Sequence, residues 1–196
     1  MDKPLGIARS ELILGGQKSG KSRRAELLAR HWLEQSPAHG AVLIATGQPW
    51  DEEMRARIAR HQADRAERVP RLRTVEEPLQ LARALAGHGN ARTLVVVDCL
   101  TLWLTNWLMP AQNNEQNKAP AQAVSAQVAM LSGAMAQAAG PIVLVGNEIG
   151  LGVIPLGRET RAFVDVLGRL NQDMAQACAR VTLMAAGLPL VLKDSA

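Results

Sequence analysis

Cysteine, aromatic rings and long apolar runs are all scarce in this chain. Its two cysteines, Cys99 and Cys178, lie in apolar patterns with no C-x-x-C spacing. They read as core thiols of a protein in a reducing, cytoplasmic compartment. Tyrosine is absent and there is one phenylalanine, so the aromatic content is essentially four tryptophans, Trp32, Trp50, Trp103 and Trp107. These read as core, except Trp50, which directly follows a strand. No apolar stretch reaches the roughly 20 residues that cross a bilayer. Met1 to Glu11 has no signal-peptide h-region, and residues 1–10 read as a polar lead-in. There is no internal repeat and no tract of one charge. The net charge of +4 comes with arginines spread along the chain. Phosphate-bearing small molecules account for that sign, so nucleic acid is not expected as a partner. What remains is 47% hydrophobic over 196 residues. That excludes disorder and suits one domain, 1–196, with a sizeable core.

What is present is concentrated near the start. Gly15-Gly16-Gln17-Lys18-Ser19-Gly20-Lys21-Ser22 matches G-x-x-x-x-G-K-[ST] in full. It follows the apolar run Leu12-Ile13-Leu14 and precedes a helical pattern, the strand–loop–helix context that the motif requires. The glycines let backbone N–H groups turn inward around a phosphate, and the next helix aims its positive end at the same anion. Lys21 is expected to reach the β/γ-phosphates, and the Ser22 hydroxyl to coordinate Mg²⁺. All eight residues are expected to bind a nucleoside triphosphate.

Strand and helix patterns alternate along the rest. Apolar runs of strand length fall at Leu12–Leu14, Ala41–Ala45, Thr93–Asp98, Pro141–Gly146 and Arg180–Ala185, and Leu188–Leu192 is placed to hairpin back through Gly187. Helical stretches fall at Lys21–Gln35, Glu52–Arg68, Pro78–Ala86, Leu100–Leu108, Ala121–Ala138 and Glu159–Ala179. Near-continuous apolar strands between helices predict an α/β, P-loop NTPase-like fold: a mostly parallel sheet with helices on both faces. The amide-rich segment 110–120 reads as an exposed, mobile loop.

Ligands of such sheets sit at the C-terminal ends of the strands. Asp98 ends one strand and is a candidate Mg²⁺ carboxylate, with a helix N-cap at Leu100 as the competing role. Asp51 opens Asp-Glu-Glu and reads as a helix cap. The helix behind it carries Arg55, Arg57, Arg60, His61 and Arg65, which read as a solvated basic face, with His61 as a candidate nucleophile. Asn147 and Glu148 at a strand end, followed by Gly150 and Gly152, suggest a close-fitting site loop. Arg158, Arg161, Asp165, Arg169, Asn171 and Gln172 mark a helix with a polar side.

These residues, taken in order, resemble a known family. The set is the P-loop at 15–22, Ile44-Ala45-Thr46, Asp51-Glu52-Glu53-Met54, Arg57-Ile58-Ala59-Arg60-His61, Arg73-Thr74-Val75-Glu76-Glu77-Pro78, Asn147-Glu148-x-Gly150-x-Gly152 and Gly168-Arg169-x-Asn171-Gln172. It looks like the bifunctional adenosylcobinamide kinase/adenosylcobinamide-phosphate guanylyltransferases of cobalamin biosynthesis, over nearly the whole chain. The resemblance implies two reactions. The aminopropanol hydroxyl of adenosylcobinamide, a corrinoid, is phosphorylated from ATP or GTP. GTP then guanylylates a histidine, and GMP passes to the cobinamide phosphate. It implies His61 and Lys21 as catalytic residues, Ser22 and Asp98 as Mg²⁺ ligands, and nucleotide contacts from Ala45, Thr46, Gly47, Gln62, Ala63, Asp64, Arg65, Glu76 and Asp98. It also implies a homo-oligomer, specifically a trimer.

Two other functions fit a P-loop. One is a kinase of another small metabolite, in which His61 is a surface residue. The other is a regulatory nucleotide-binding module without turnover.

Overall fold

The computed structural model describes residues 6–109 and 121–195. From the N-terminus the elements are β1 (Ser10–Gly15), α1 (Lys21–Gln35), β2 (Gly40–Ala45), α2 (Glu52–Arg68), β3 (Leu72–Glu76), α3 (Leu81–His88), β4 (Thr93–Asp98), α4 (Leu100–Leu108), α5 (Ala121–Gln137), β5 (Ile142–Val145), α6 (Arg158–Ala177), β6 (Arg180–Ala185) and β7 (Leu188–Asp194). The strands form one sheet in the order β3-β2-β4-β5-β1-β6-β7. Every pairing is parallel except β6 with β7. The expected α/β architecture and the C-terminal hairpin are both present.

Side-chain alternation divides the core into two layers. Leu12, Leu14, Val42, Ile44, Val95 and Val97 point to one face, where α3, α4, α5 and α6 supply Leu81, Leu85, Trp103, Leu131, Leu167 and Met174. Ile13, Leu43, Leu94, Val96 and Val143 point to the other, packed on Ala25, Leu28, Ala29 and Leu33 of α1. Each fully buried leucine contributes roughly 1.5–3 kcal/mol. β1, β4 and β5 are buried on both faces, which explains the apolar runs at Leu12–Leu14, Leu94–Val97 and Ile142–Val145.

Three details differ from the sequence expectation. β3 was not anticipated: only Leu72 of this edge strand is buried, so it lacks an apolar run. α3 begins at Leu81 rather than Pro78. The Glu77 carboxylate accepts from the Leu79 and Gln80 amides, while Trp103 Nε1 and Asn106 Nδ2 donate to the Leu79 and Pro78 carbonyls. These bonds hold the three residues outside the helix. Finally, Asp98 does not cap α4. The cap is Cys99, whose Sγ accepts from the Leu102 amide at 3.5 Å.

The tryptophans are placed largely as expected. Trp103 is buried at 1% exposure, while Trp50 is 48% exposed. Trp32 stacks on His39 with ring centroids 3.8 Å apart. The loop expected at 110–120 lies outside the described residues. No helix among the described residues is long and apolar enough to cross a membrane.

Candidate active site

The loop between β1 and α1 is shaped by backbone conformations that favour glycine. Gly15 has φ 151° and Gly20 φ 100°, and Lys18 between them has φ 57°. A Cβ on Gly15 would lie 2.5 Å from the Met184 carbonyl oxygen, so this position must be glycine for the loop to pass under β6. Around Gly16 there is open space. The N-cap of α1 is Gly20, with no side chain on the first-turn amides. Those amides remain available to an anion.

Lys21 reaches back into this cradle. Its Nζ donates to the Gly16 carbonyl at 2.6 Å and lies 3.5 Å from Ser19 Oγ. The side chain is 8% exposed. Burial pushes its pKa down; Cys99 and Asp98 oppose that shift, and Arg57 on α2 adds to it. A buried ammonium held on a carbonyl, with no carboxylate in contact among the described residues, is poised for a phosphate.

Asp98 stands at the end of β4, in register with Val145 of β5, which is in register with Ile13 of β1. One strand therefore separates it from the P-loop strand, about 10 Å at ordinary strand spacing. Neither the Asp98 carboxylate nor the Ser22 hydroxyl makes a hydrogen bond among the described residues. Thr46 fixes the turn that carries Asp98. It is fully buried, its amide donates to the Asp98 carbonyl at 3.1 Å, and its hydroxyl bonds both backbone groups of Cys99. Its carbonyl accepts from Asn106 at 2.8 Å. Every polar atom of Thr46 is thus committed to protein, so it supports the site instead of presenting groups to it. Ala45 and Gly47 beside it are half-buried, and Glu76 is exposed at the end of β3.

α2 starts at Asp51, whose carboxylate accepts from the Met54 amide at 2.7 Å, the expected cap. Arg57, His61 and Arg65 follow at helical spacing and share one stripe of the helix. His61 is exposed, and its ring makes no hydrogen bond among the described residues. It lies about 15 Å along the axis from Asp51, at 1.5 Å per residue. Gln62 and Ala63 are exposed, and Asp64 pairs with Arg68 at 3.1 Å. Arg65 is 7% exposed; its carbonyl accepts from the Val69 amide at 2.8 Å, and its guanidinium makes no hydrogen bond or ion pair among the described residues. None of its guanidinium nitrogens is buried without a partner, so the stem is buried while the head keeps contact with solvent and is free for an anion.

Sequence reasoning assigned no individual role to Glu148. Its amide donates to the Gly15 carbonyl at 3.1 Å, which ties it to the P-loop. Its Oε1 accepts from the Gly150 amide at 2.9 Å, and Asn171 Nδ2 lies 3.4 Å from its Oε2. That carboxylate crowds the glycine two positions on, where a Cβ at Gly150 would stand 3.2 Å from it.

The sheet order, the phosphate cradle and the carboxylate on β4 define a P-loop nucleotide-binding α/β protein. Solved structures agree on the fold. The flagellar accessory protein FlaH from Methanocaldococcus jannaschii matches with a TM-score of 0.51 at 13% identity, covering 96% of this chain and 80% of that one. The ATPase domain of G40P matches with a TM-score of 0.53 at 11% identity, covering 96% and 78%. Sequence comparison narrows the class. Residues 11–192 match the model of the family described as cobinamide kinase / cobinamide phosphate guanyltransferase. The chain belongs to that family and is a transferase. It is 46% identical over 183 residues to the bifunctional adenosylcobalamin biosynthesis protein CobP of Pseudomonas aeruginosa, covering 93% of this chain and 96% of that protein. It is 34% identical over 187 residues to the bifunctional adenosylcobalamin biosynthesis protein CobU of Escherichia coli, covering 93% and 98%.

Proposed function

We propose that this protein phosphorylates the aminopropanol hydroxyl of adenosylcobinamide from ATP or GTP. It then carries GMP from GTP on His61 to the cobinamide phosphate, giving adenosylcobinamide-GDP. The observation that carries this reading is the presence, in one member of the family, of a phosphate cradle around Lys21 and an unengaged imidazole at His61.

In the first reaction the cradle residues Gly15 to Ser22 and the open end of α1 hold the triphosphate. Lys21 leaves the Gly16 carbonyl for the transferring phosphoryl group, exchanging a neutral acceptor for a charged one. In the second, a neutral imidazole nitrogen of His61 attacks the α-phosphorus of GTP and pyrophosphate departs. Arg65, and Arg57 one turn to the other side of His61, neutralise charge at that phosphorus. Ala45, Gly47, Gln62, Ala63, Asp64 and Glu76 contribute further nucleotide contacts in this reading, and Thr46 acts through Asp98. Ser22 and Asp98 would hold Mg²⁺. Among the described residues no group of three or more His, Cys, Asp or Glu could hold a metal ion, which suits a site where phosphate oxygens would supply the remaining ligands. The ion supplies neutralisation of phosphate charge.

The two chemistries act on different phosphorus atoms, and His61 stands well along α2. That helix buries only Arg65, so it is lightly anchored. In this reading α2 shifts toward the cradle between the two reactions. Finding His61 in the same position in nucleotide complexes of both steps would contradict it.

The reading extends to a cytoplasmic enzyme with two free, buried thiols. It also includes a homo-oligomer, a trimer by family resemblance. β7 is an edge strand with Leu188, Leu190, Val191 and Leu192 exposed by 49–71%, a surface suited to burial against another copy. Light scattering of the purified protein tests this; a monomer would contradict it. Trp50, exposed beside the site, is offered as apolar area to the corrin ring.

Mass spectrometry of the corrinoid tests the main reading. Wild type is expected to add phosphate and then GMP, Lys21→Ala to add neither to adenosylcobinamide, and His61→Ala to stop at the phosphate. No phosphate addition by wild type would overturn it.

A further inference from the structure

The phosphorylation step needs a proton acceptor. The substrate is an alcohol, and its hydroxyl proton must leave as the oxygen bonds to the γ-phosphorus. The C-terminal edge of the sheet offers a short set of candidates. Cys99 is unsuited, because burial and then the Asp98 charge push its thiol up to about 12, and its sulfur caps α4. Asp51 is spent on the Met54 amide and Glu77 on the Leu79 and Gln80 amides. Asp98 lies one strand away from β1 and is placed for the metal. Glu148 remains.

Its position is built from several directions. β5 is the strand next to β1, so the residues after it flank the P-loop. The Glu148 amide is fixed to Gly15. The preceding amide, that of Asn147, donates to Thr101 Oγ1 at 2.8 Å in the first turn of α4. Asn171 of α6, 4% exposed, donates to the Asn147 carbonyl at 3.1 Å and reaches the Glu148 carboxylate. The carboxylate is half-buried, and each oxygen keeps an unused lone pair. A carboxylate held by Gly150 and Asn171 on a backbone tied to Gly15 and Thr101, with acceptor capacity left over and beside the triphosphate cradle, has the geometry of a reacting group.

We propose that Glu148 is the catalytic base of the kinase half-reaction; this rests on the reading given above. The Glu148 carboxylate takes the hydroxyl proton while the alcohol oxygen forms its bond to the γ-phosphorus. The bond from that phosphorus to the β–γ bridging oxygen breaks, and the nucleoside diphosphate departs with that oxygen. Glu148 afterwards gives the proton to solvent. The guanylyl half-reaction has no such need. A neutral imidazole and a phosphate monoester are both nucleophiles without prior loss of a hydroxyl proton.

The test uses the intact enzyme with two substrates, adenosylcobinamide and adenosylcobinamide phosphate. For Glu148→Gln, kcat for phosphorylating adenosylcobinamide is expected to fall about 10²–10⁴-fold, with little change in KM for the nucleotide. The same variant is expected still to label its histidine from GTP and to convert added adenosylcobinamide phosphate. Glu148→Asp, which keeps a carboxylate one methylene shorter, should recover part of the kinase rate. Kinase activity within a few-fold of wild type in Glu148→Gln would overturn the proposal. So would parallel loss of both half-reactions in Glu148→Gln and Glu148→Asp, which would mark Glu148 as a brace for the P-loop. A wild type that phosphorylates no corrinoid would instead remove the underlying reading.

Discussion

Thr46 and Cys99, 53 positions apart, exchange two hydrogen bonds. The Thr46 hydroxyl donates to the Cys99 carbonyl at 2.7 Å and accepts from the Cys99 amide at 2.8 Å. One buried side chain therefore bonds both backbone groups at the bend between β4 and α4, as the partner of the Cys99 amide and alongside the Trp103 amide on the Cys99 carbonyl. The Asp98 carboxylate one residue earlier is placed by that exchange.

Thr46→Val keeps the shape and removes both bonds. It orphans the buried Cys99 amide at a cost of about 1–3 kcal/mol, while the Cys99 carbonyl keeps the Trp103 amide at 3.1 Å. At roughly 2–4 °C per kcal/mol for a chain of this size, thermal unfolding should shift down by several degrees. Thr46→Ser should recover most of it. An unchanged melting temperature in Thr46→Val would contradict this role.

Arg65 separates stability from function. Arg65→Met keeps the buried apolar stem and removes a solvent-contacting cation that has no partner among the described residues, so the ligand-free protein should be about as stable as wild type. Its rate of self-guanylylation should fall by at least about tenfold, since one phosphate-facing cation is worth on the order of 1.4 kcal/mol or more. Calorimetry and single-turnover labelling measure the two effects. A destabilised Arg65→Met with normal labelling would reverse the assignment.

The hairpin joining β6 and β7 turns on Ala186 and Gly187, with φ 50° and 81°. Positive φ at both central residues is the type I′ turn, which favours Asn-Gly. An alanine there is strained by roughly 1–2 kcal/mol. Ala186→Asn should raise the melting temperature by a few degrees, read by differential scanning calorimetry.

Alkaline pH should weaken the fold through its thiols. Burial pushes Cys178 from 9.0 up to about 12. The unfolded chain releases that proton near pH 9 while the folded chain keeps it, so the unfolded state binds fewer protons between those values. Stability therefore falls as pH rises across the window, by at most on the order of 1 kcal/mol per pH unit. Cys178→Ala should flatten the pH dependence of urea midpoints above pH 9.

What could be read from the sequence was what depends on neighbours along the chain. The P-loop, the five buried strands, the hairpin and the Asp51 cap follow local rules of spacing, apolar runs and turn chemistry. β3 escaped because an edge strand with exposed Arg73 and Glu76 shows no such run. The late start of α3 escaped because it depends on Trp103 and Asn106, which come from another helix. Cysteine is a weak helix cap, so the sequence carries no sign of Cys99 in that role, and for Asp98 capping is only the role that competes with Mg²⁺ binding. Thr46 and Glu148 take their roles from partners distant in sequence, Cys99 in one case and Gly15 and Asn171 in the other. Spacing carries no trace of such contacts.

The central claim is that one chain holds both a P-loop chemistry and a nucleophilic histidine. The most direct test incubates wild type and His61→Ala with Mg²⁺ and GTP radiolabelled at the α-phosphate, then treats the protein with acid. The account predicts a protein-bound label on wild type that acid releases, as a phosphoramidate requires, and none on His61→Ala. Equal labelling of the two proteins, or no label on wild type, would contradict it.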